Sequence, residues 1–175
     1  MKEKKKPQND FKNKIAIGSD HAGFELKECL KEFLNSKKIE VIDFGCNSIE
    51  PVDYPDIAID VAEYISDNLN NFVIEYEEKY EFHHNDLNRG ILICGSGSGM
   101  CIAANKVGSI RAVNCCNTEI ASLAVQHNDA NILCLGARFI DKELAKEIVD
   151  AFLNSKFEKG RHLDRINKIH LKTNV

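Results

Sequence analysis

Cys94 lies where residue types and spacing most clearly suggest chemistry. The apolar run Gly90–Cys94 is typical of a short buried strand. Alternate glycines follow this strand at Gly95, Gly97 and Gly99. Glycine lets the backbone turn tightly and approach a ligand closely, and a helix beginning near Ser98 would direct its first N–H groups at an anion. The pattern predicts a base or nucleophile beside an anion-binding loop.

Two common glycine loops do not fit this stretch. A nucleotide triphosphatase loop ends in Gly-Lys-Ser/Thr, whereas Gly99 is followed by Met100 and Cys101. A dinucleotide site needs G-x-G-x-x-G and an acidic residue at the end of the next strand, and the predicted strand Ile110–Asn114 ends without one. A small anionic ligand is the better prediction. The alternative is an ordinary strand-to-helix turn that carries a core cysteine.

Composition fits one globular domain. The chain has 175 residues, of which 43% are hydrophobic and 29% charged, and its net charge is −4. This charge argues against a nucleic-acid partner, and no apolar run is long enough to predict a membrane span. We therefore expect no nucleic acid and no membrane as partners.

The cysteines and the N-terminus predict a location. Seven cysteines without C-x-x-C spacing favour reduced thiols over a disulfide framework or a zinc site. The lysine-rich Met1–Asp10 lacks both the apolar core of a secretory signal and the arginines of a transit peptide. We expect residues 1–13 to be a disordered basic tail and the protein to be cytoplasmic.

Apolar periodicity alternates between strands and helices along the chain. The predicted strands are Lys14–Gly18, Ile39–Asp43, Gly90–Cys94, Ile110–Asn114 and Asn131–Leu135. The predicted helices are Phe24–Ser36, residues 55–69, a helix from near Ser98, Thr118–Gln126, Asp141–Asn154 and residues 161–169. This order predicts an α/β fold with a doubly wound, five-stranded parallel sheet of Rossmann-like type. A single domain would span residues 14–155, with a C-terminal helical extension over residues 156–175.

The carboxyl ends of the predicted strands collect polar side chains at one edge of the sheet. The side chains placed there are Asp20, His21, Asp43, Cys94, Ser96 and Arg138. His127 and Asn128 instead follow the predicted fourth helix, in a connection that belongs to the opposite edge. A second subunit could bring them to the site. The alternative for any single histidine or aspartate is a helix cap or a solvated surface group.

Five motifs together resemble the type B ribose-5-phosphate isomerases and their galactose-6-phosphate relatives. They are Gly18-Ser-Asp-His-Ala-Gly-Phe24, Ile93-Cys-Gly-Ser-Gly-Ser-Gly-Met100, Gln126-His-Asn-Asp129, Gly136-Ala-Arg138 and Gly160-Arg-His162. The resemblance runs from about Lys14 to Ile169. It implies an aldose–ketose isomerase of the pentose phosphate pathway that needs no cofactor and no metal. It also implies a homodimer or higher homo-oligomer with shared active sites.

The resemblance implies roles for individual residues. Cys94 would take a proton from C2 of the open-chain aldose and return it to C1. His127 would open the sugar ring, Asn128 would hold hydroxyls and Asp20 would bind the sugar. The enediolate would be held by the loop residues Gly95, Ser96, Gly97, Ser98 and Gly99.

The phosphate would be clamped by His21 and three arginines, Arg138, Arg161 and Arg165. Arg161 and Arg165 are one helical turn apart, so both would project from one face of the C-terminal helix. In one branch of the family a glutamate is the base, at the position of Met100. Methionine cannot accept a proton, which leaves Cys94 as the candidate base.

The chain departs from the family over about residues 70–88. This insertion adds acidic, aromatic and histidine residues in an αβ connection, which belongs to the sheet edge away from the chemistry. His83, His84 and Asp86 could ligate a metal, but adjacent histidines on a polar loop are more often solvated. We expect no metal there.

Other functions stay open at the level of sequence. The substrate could be another sugar phosphate, such as galactose 6-phosphate, allose 6-phosphate or a tetrose phosphate. A thiol hydrolase would use the same cysteine as a nucleophile. A non-catalytic sugar-phosphate-binding protein would bind the ligand without turnover.

Overall fold

Strands and helices alternate as their apolar patterns predict. The computed structural model describes residues 14–73 and 88–172, with side chains described to residue 67 in the first segment and to residue 169 in the second. The strands are β1 (Lys14–Ser19), β2 (Glu40–Asp43), β3 (Arg89–Cys94), β4 (Ala112–Asn114) and β5 (Ile132–Gly136). The helices are α1 (Phe24–Ser36), α2 (Tyr54–Val73), α3 (Ser98–Ala104), α4 (Thr118–Asn128), α5 (Lys142–Asn154) and α6 (Arg161–Lys172).

The five strands form one parallel sheet in the order β2-β1-β3-β5-β4. Successive strand residues face opposite sides, so each side of the sheet has its own core. Ile91 and Ile93 of β3 pack on the side covered by α1, α4 and α5. Leu92 and Cys94 pack on the side covered by α2 and α3. The predicted doubly wound α/β sheet is confirmed.

Three helices run past their predicted ends, and the last of them, α6, continues to Lys172, three residues beyond residue 169. α2 continues to Val73, four residues beyond the predicted end at Leu69. α4 continues to Asn128 and ends where Asp129 adopts a left-handed conformation, with φ of 52°. His127 and Asn128 therefore lie in the last turn of α4, not in the connection after it.

Two other predictions lie outside the described residues. They are the basic tail over residues 1–13 and most of the insertion, including His83, His84 and Asp86. Among the described helices, none combines the length and apolarity that a membrane span requires.

An ion pair between a buried lysine and an exposed aspartate fixes the end of β2. Lys27 of α1 is fully buried, and its Nζ lies 2.7 Å from both carboxylate oxygens of Asp43. Asp43 also bonds Lys31 and accepts the Gly45 N–H at 2.9 Å. Burial of Asp43 disfavours its charge, but the hydrogen bonds from both lysines outweigh burial and hold the pKa of this carboxyl below its ordinary value. The pair anchors the segment that follows β2.

Candidate active site

Cys94 ends β3, the central strand of the sheet, and only 4% of its surface is exposed. The chain then turns through a left-handed Gly97, with φ of 77°, into α3. The turn directs the Gly97 N–H at the sulfur, with the nitrogen 3.2 Å from Sγ. A backbone donor at this distance stabilises negative charge on the sulfur. The predicted placement of a thiol beside a glycine loop is confirmed.

Tyr54 packs across the loop from the first residue of α2. A Cβ placed on Gly99 would lie 2.8 Å from the Tyr54 ring, so glycine is needed for this approach. Tyr54 is 41% exposed and borders the same cleft as Cys94. No motif or spacing in the sequence indicated Tyr54, which is the first residue of α2.

Asp20 follows β1 and is nearly buried. Its backbone N–H donates to the carbonyl of Ile93 at 3.1 Å, which ties it to β3. Its Oδ1 accepts the N–H groups of Ala22 and Gly23 at 2.9 and 3.0 Å. Asp20 thus caps its local turn, which was the alternative role for it. The same hydrogen bonds fix its carboxylate at the cleft.

His21 borders the cleft beside Asp20. Its Nδ1 accepts the backbone N–H of Val52 at 3.3 Å. In neutral imidazole one ring nitrogen accepts and the other carries hydrogen, so the proton lies on Nε2. The segment between β2 and α2 therefore orients His21 with Nε2–H as a donor.

Arg138 approaches from the segment after β5. Its backbone N–H donates to the carbonyl of Gly95 at 3.1 Å, and a Cβ on Gly95 would lie 3.1 Å from its guanidinium carbon. The exposed guanidinium thus lies directly against the loop. It provides positive charge for an anion at this position.

Together these side chains form an open cleft with a volume of about 260 Å³. Its lining residues are Asp20, His21, Ala22, Tyr54, Cys94, Gly95, Ser96, Gly99 and Arg138. Gly97 and Ser98 belong to the same loop but do not line the cleft. Asp43 was predicted at this edge, but it forms ion pairs with Lys27 and Lys31 and has a structural role.

The other predicted site residues lie elsewhere on the chain. His127, Asn128, Arg161 and Arg165 do not line the cleft. His127, at the end of α4, stacks on His162 of α6 with ring centroids 4.4 Å apart. α6 is helical as predicted, and its two arginines are exposed.

The histidine pair has the composition of a metal site. One ligand atom each from His127, His162 and Glu158 lies within 4.8 Å of the others. Partial burial, with electrostatic repulsion from His127, Arg161 and Arg165, holds the pKa of His162 below its ordinary value. Two permanently charged arginines on the same helix oppose a metal cation and favour an anion.

The other cysteines are free thiols with different surroundings. A hydrogen bond with Cys134 lowers the pKa of the Cys101 thiol to about 7. Burial raises the pKa of Cys115 to about 12 and that of Cys134 well above its ordinary value. Cys116, the second residue after β4, is exposed, unlike its buried neighbour Cys115.

The fold and the cleft define a parallel α/β protein with a thiol, a carboxylate, an imidazole and a guanidinium around one small polar cleft. The model of the Ribose/Galactose Isomerase family matches residues 15–169. The chain belongs to this family.

Individual relatives are similar over nearly their whole length. Ribose-5-phosphate isomerase B of Escherichia coli is 43% identical over 156 residues, which is 89% of this chain and 93% of that protein. A ribose 5-phosphate isomerase structure from Thermotoga maritima has 48% identity and a TM-score of 0.79, over 91% of this chain and 99% of that one. The Mycoplasma genitalium enzyme with bound ribulose-5-phosphate has 41% identity and a TM-score of 0.78, over 90% and 94%.

Proposed function

We propose that this protein is an aldose–ketose isomerase that interconverts ribose 5-phosphate and ribulose 5-phosphate. One observation carries the proposal. The Cys94 sulfur receives the Gly97 N–H in a cleft that also holds Asp20, His21 and Arg138. The cleft therefore combines a group that can accept a proton, the Cys94 sulfur, with side chains that can bind an anion, as a member of the Ribose/Galactose Isomerase family would need.

Cys94 is the base of the proposed reaction. Its thiolate removes the C2 proton of the open-chain aldose, and the electron pair moves to form an enediolate. The C2 hydroxyl proton passes to O1, the resulting thiol delivers its proton to C1, and the electron pair on O2 forms the ketone carbonyl at C2. Negative charge develops on the sugar oxygens, and backbone donors around Gly95–Gly99 stabilise it. Met100, fully buried, has no such chemistry.

His21 and Arg138 hold the phosphate from this subunit. Nε2–H of His21 supplies a hydrogen bond, and the guanidinium of Arg138 supplies charge and a second donor. Asp20 binds sugar hydroxyls with the carboxylate oxygen that its turn does not use.

A second subunit completes the site in our proposal. It contributes His127 as ring opener, Asn128 for hydroxyls, and Arg161 and Arg165 for the phosphate. The support is that none of the four lines the cleft of its own chain. Large apolar side chains are also exposed on segments that contribute residues to the cleft, including Ile102 on α3 and Phe139 next to Arg138, at 64% and 74%. The assembly is a homodimer or a larger homo-oligomer.

Mixing two inactive variants tests the shared site. Cys94→Ala and His127→Ala would each lack one half, and subunit exchange would create some heterodimers with one intact site. Part of the activity should return. Proven exchange without recovery would place both residues in the site of one chain.

The substrate is tested with a panel of pentose, hexose and tetrose phosphates. NMR would follow aldose–ketose interconversion and deuterium uptake from solvent at C1 or C2. Ribose 5-phosphate should be turned over fastest, whereas preference for galactose 6-phosphate or allose 6-phosphate would move the assignment within the family. A covalent adduct at Cys94 would indicate a hydrolase, and binding without turnover would indicate a sensor.

The free thiols support a reducing cytoplasm as the location of the protein.

A further inference from the structure

We infer that Asn114 is a positioning residue that holds the glycine loop so that the Gly97 N–H faces the Cys94 sulfur. The side-chain amide of Asn114 donates to the carbonyl of Ser96 at 3.1 Å and to Oγ of Ser98 at 3.2 Å. These two contacts lie on either side of Gly97. Asn114 thus forms hydrogen bonds with the loop on both sides of Gly97, the residue whose N–H donates to the sulfur.

Asn114 reaches the loop from a different strand. It is the last residue of β4, an edge strand that is separated from β3 by β5. The loop lies across the end of β5, where a Cβ on Gly136 would stand 2.8 Å from the Ser96 carbonyl. The contact is therefore tertiary, and β4 carries a side chain that bonds the loop after β3.

The fit between Asn114 and Gly97 is close. A Cβ on Gly97 would lie 2.4 Å from Oδ1 of Asn114, and the φ of 77° is itself unfavourable for other residues. Gly97 then presents its N–H to the sulfur 3.2 Å away. A continuous set of contacts runs from Asn114 through the loop to Cys94.

Asn114 does not line the cleft, so its effect on catalysis is indirect. If the proposed isomerase function holds, loss of Asn114 should lower kcat by about tenfold to a hundredfold, because catalytic donors are sensitive to small displacements. KM should change by less than about threefold, because the phosphate contacts remain. If Asn114 were merely structural, its loss would lower stability without lowering kcat selectively relative to KM.

Alkylation of Cys94 tests the contact without any substrate. Iodoacetamide reacts with thiolate, so the rate at about pH 7 relative to about pH 10 reports how well the loop stabilises charge on sulfur. Peptide mass spectrometry separates Cys94 from the other thiols. In Asn114→Leu this ratio should fall by about tenfold, the effect of losing a hydrogen bond to a charged group. Asn114→Ala is a second variant with the same expectation.

Asn117→Ala is the matched control. Asn117 follows the same strand, and its side chain caps α4 by accepting the Ile120 N–H at 2.8 Å. This variant should lose stability with an unchanged alkylation ratio. An unchanged ratio in both Asn114 variants would overturn the inference, whether or not kcat falls. A reduced ratio in a protein that turns over no sugar phosphate would uphold it while refuting the proposed function.

Discussion

Replacement of Cys94 by alanine tests whether this residue acts as a catalytic base or only fills space in the core. A general base contributes roughly two to four orders of magnitude in rate, which corresponds to about 3–5 kcal/mol of transition-state stabilisation. We expect kcat on ribose 5-phosphate to fall by this factor. Cys94→Ser should be nearly as defective, because a serine hydroxyl is far too weak an acid to ionise near neutral pH.

The stability cost of the same change should be small. Cys94 is 4% exposed and packs with the α2 and α3 core, so alanine removes one buried sulfur and the acceptor of one N–H. This amounts to about 1–2 kcal/mol, or a fall in Tm of about 2–8 °C for a chain of this size. The catalytic loss is the larger of the two effects.

Cys134→Ala provides the matched control. Cys134 is fully buried on the neighbouring strand and packs on the same side of the sheet. Both variants should melt alike, whereas only Cys94→Ala should lose turnover in a coupled or NMR assay. If Cys94→Ala keeps more than about a tenth of the wild-type kcat, the assignment of Cys94 as the base is wrong.

Three further predictions concern the loop, the proposed ring opener His127 and the ion pair of Lys27 with Asp43. Gly97→Ala should lower the free energy of unfolding by at least about 1–2 kcal/mol, because φ is 77° there, and an unchanged Tm would contradict this. His127→Ala should lose more activity on ribose 5-phosphate than on a linear analogue that cannot cyclise, and equal losses would remove its ring-opening role. Asp43→Asn should lower the free energy of unfolding, measured in urea, by about 2–3 kcal/mol. The loss is smaller than for a fully buried ion pair because Glu28 remains 3.2 Å from Lys27 Nζ. Since the folded pKa of Asp43 lies below its unfolded value, its contribution is present above about pH 4 and is lost as pH falls through the folded pKa. Asp43→Asn should remove that part of the acid sensitivity.

The strands and the edge of the sheet that carries the site could be predicted from sequence. β3 and β5 are buried at every position, so their apolar runs were unambiguous. The rule that ligands bind at the carboxyl ends of parallel strands then placed Asp20, Cys94 and Arg138 together.

Contacts between elements distant in sequence could not be predicted in this way. Tyr54 reaches Gly99 because α2 packs beside α3, and no local pattern encodes that approach. Val52 orients His21 through an irregular segment that has no periodicity. Asn114 satisfied the same strand-end rule as Asp20, but its partners follow β3, and this pairing depends on the sheet order.

Position, more than acidity, distinguishes the proposed base Cys94 from Cys101. A hydrogen bond with Cys134 lowers the pKa of Cys101 to about 7, yet its sulfur donates to the Ala112 carbonyl and it does not line the cleft. A proton acceptor must lie within hydrogen-bond reach of the substrate carbon, so Cys101 is excluded by geometry despite its pKa. Cys94 is at the cleft, and the Gly97 N–H meets its sulfur there. Negative charge on Cys94 would thus be stabilised by a donor from the same loop as the proposed oxyanion site, so one loop would serve both the proposed base and the enediolate that it generates.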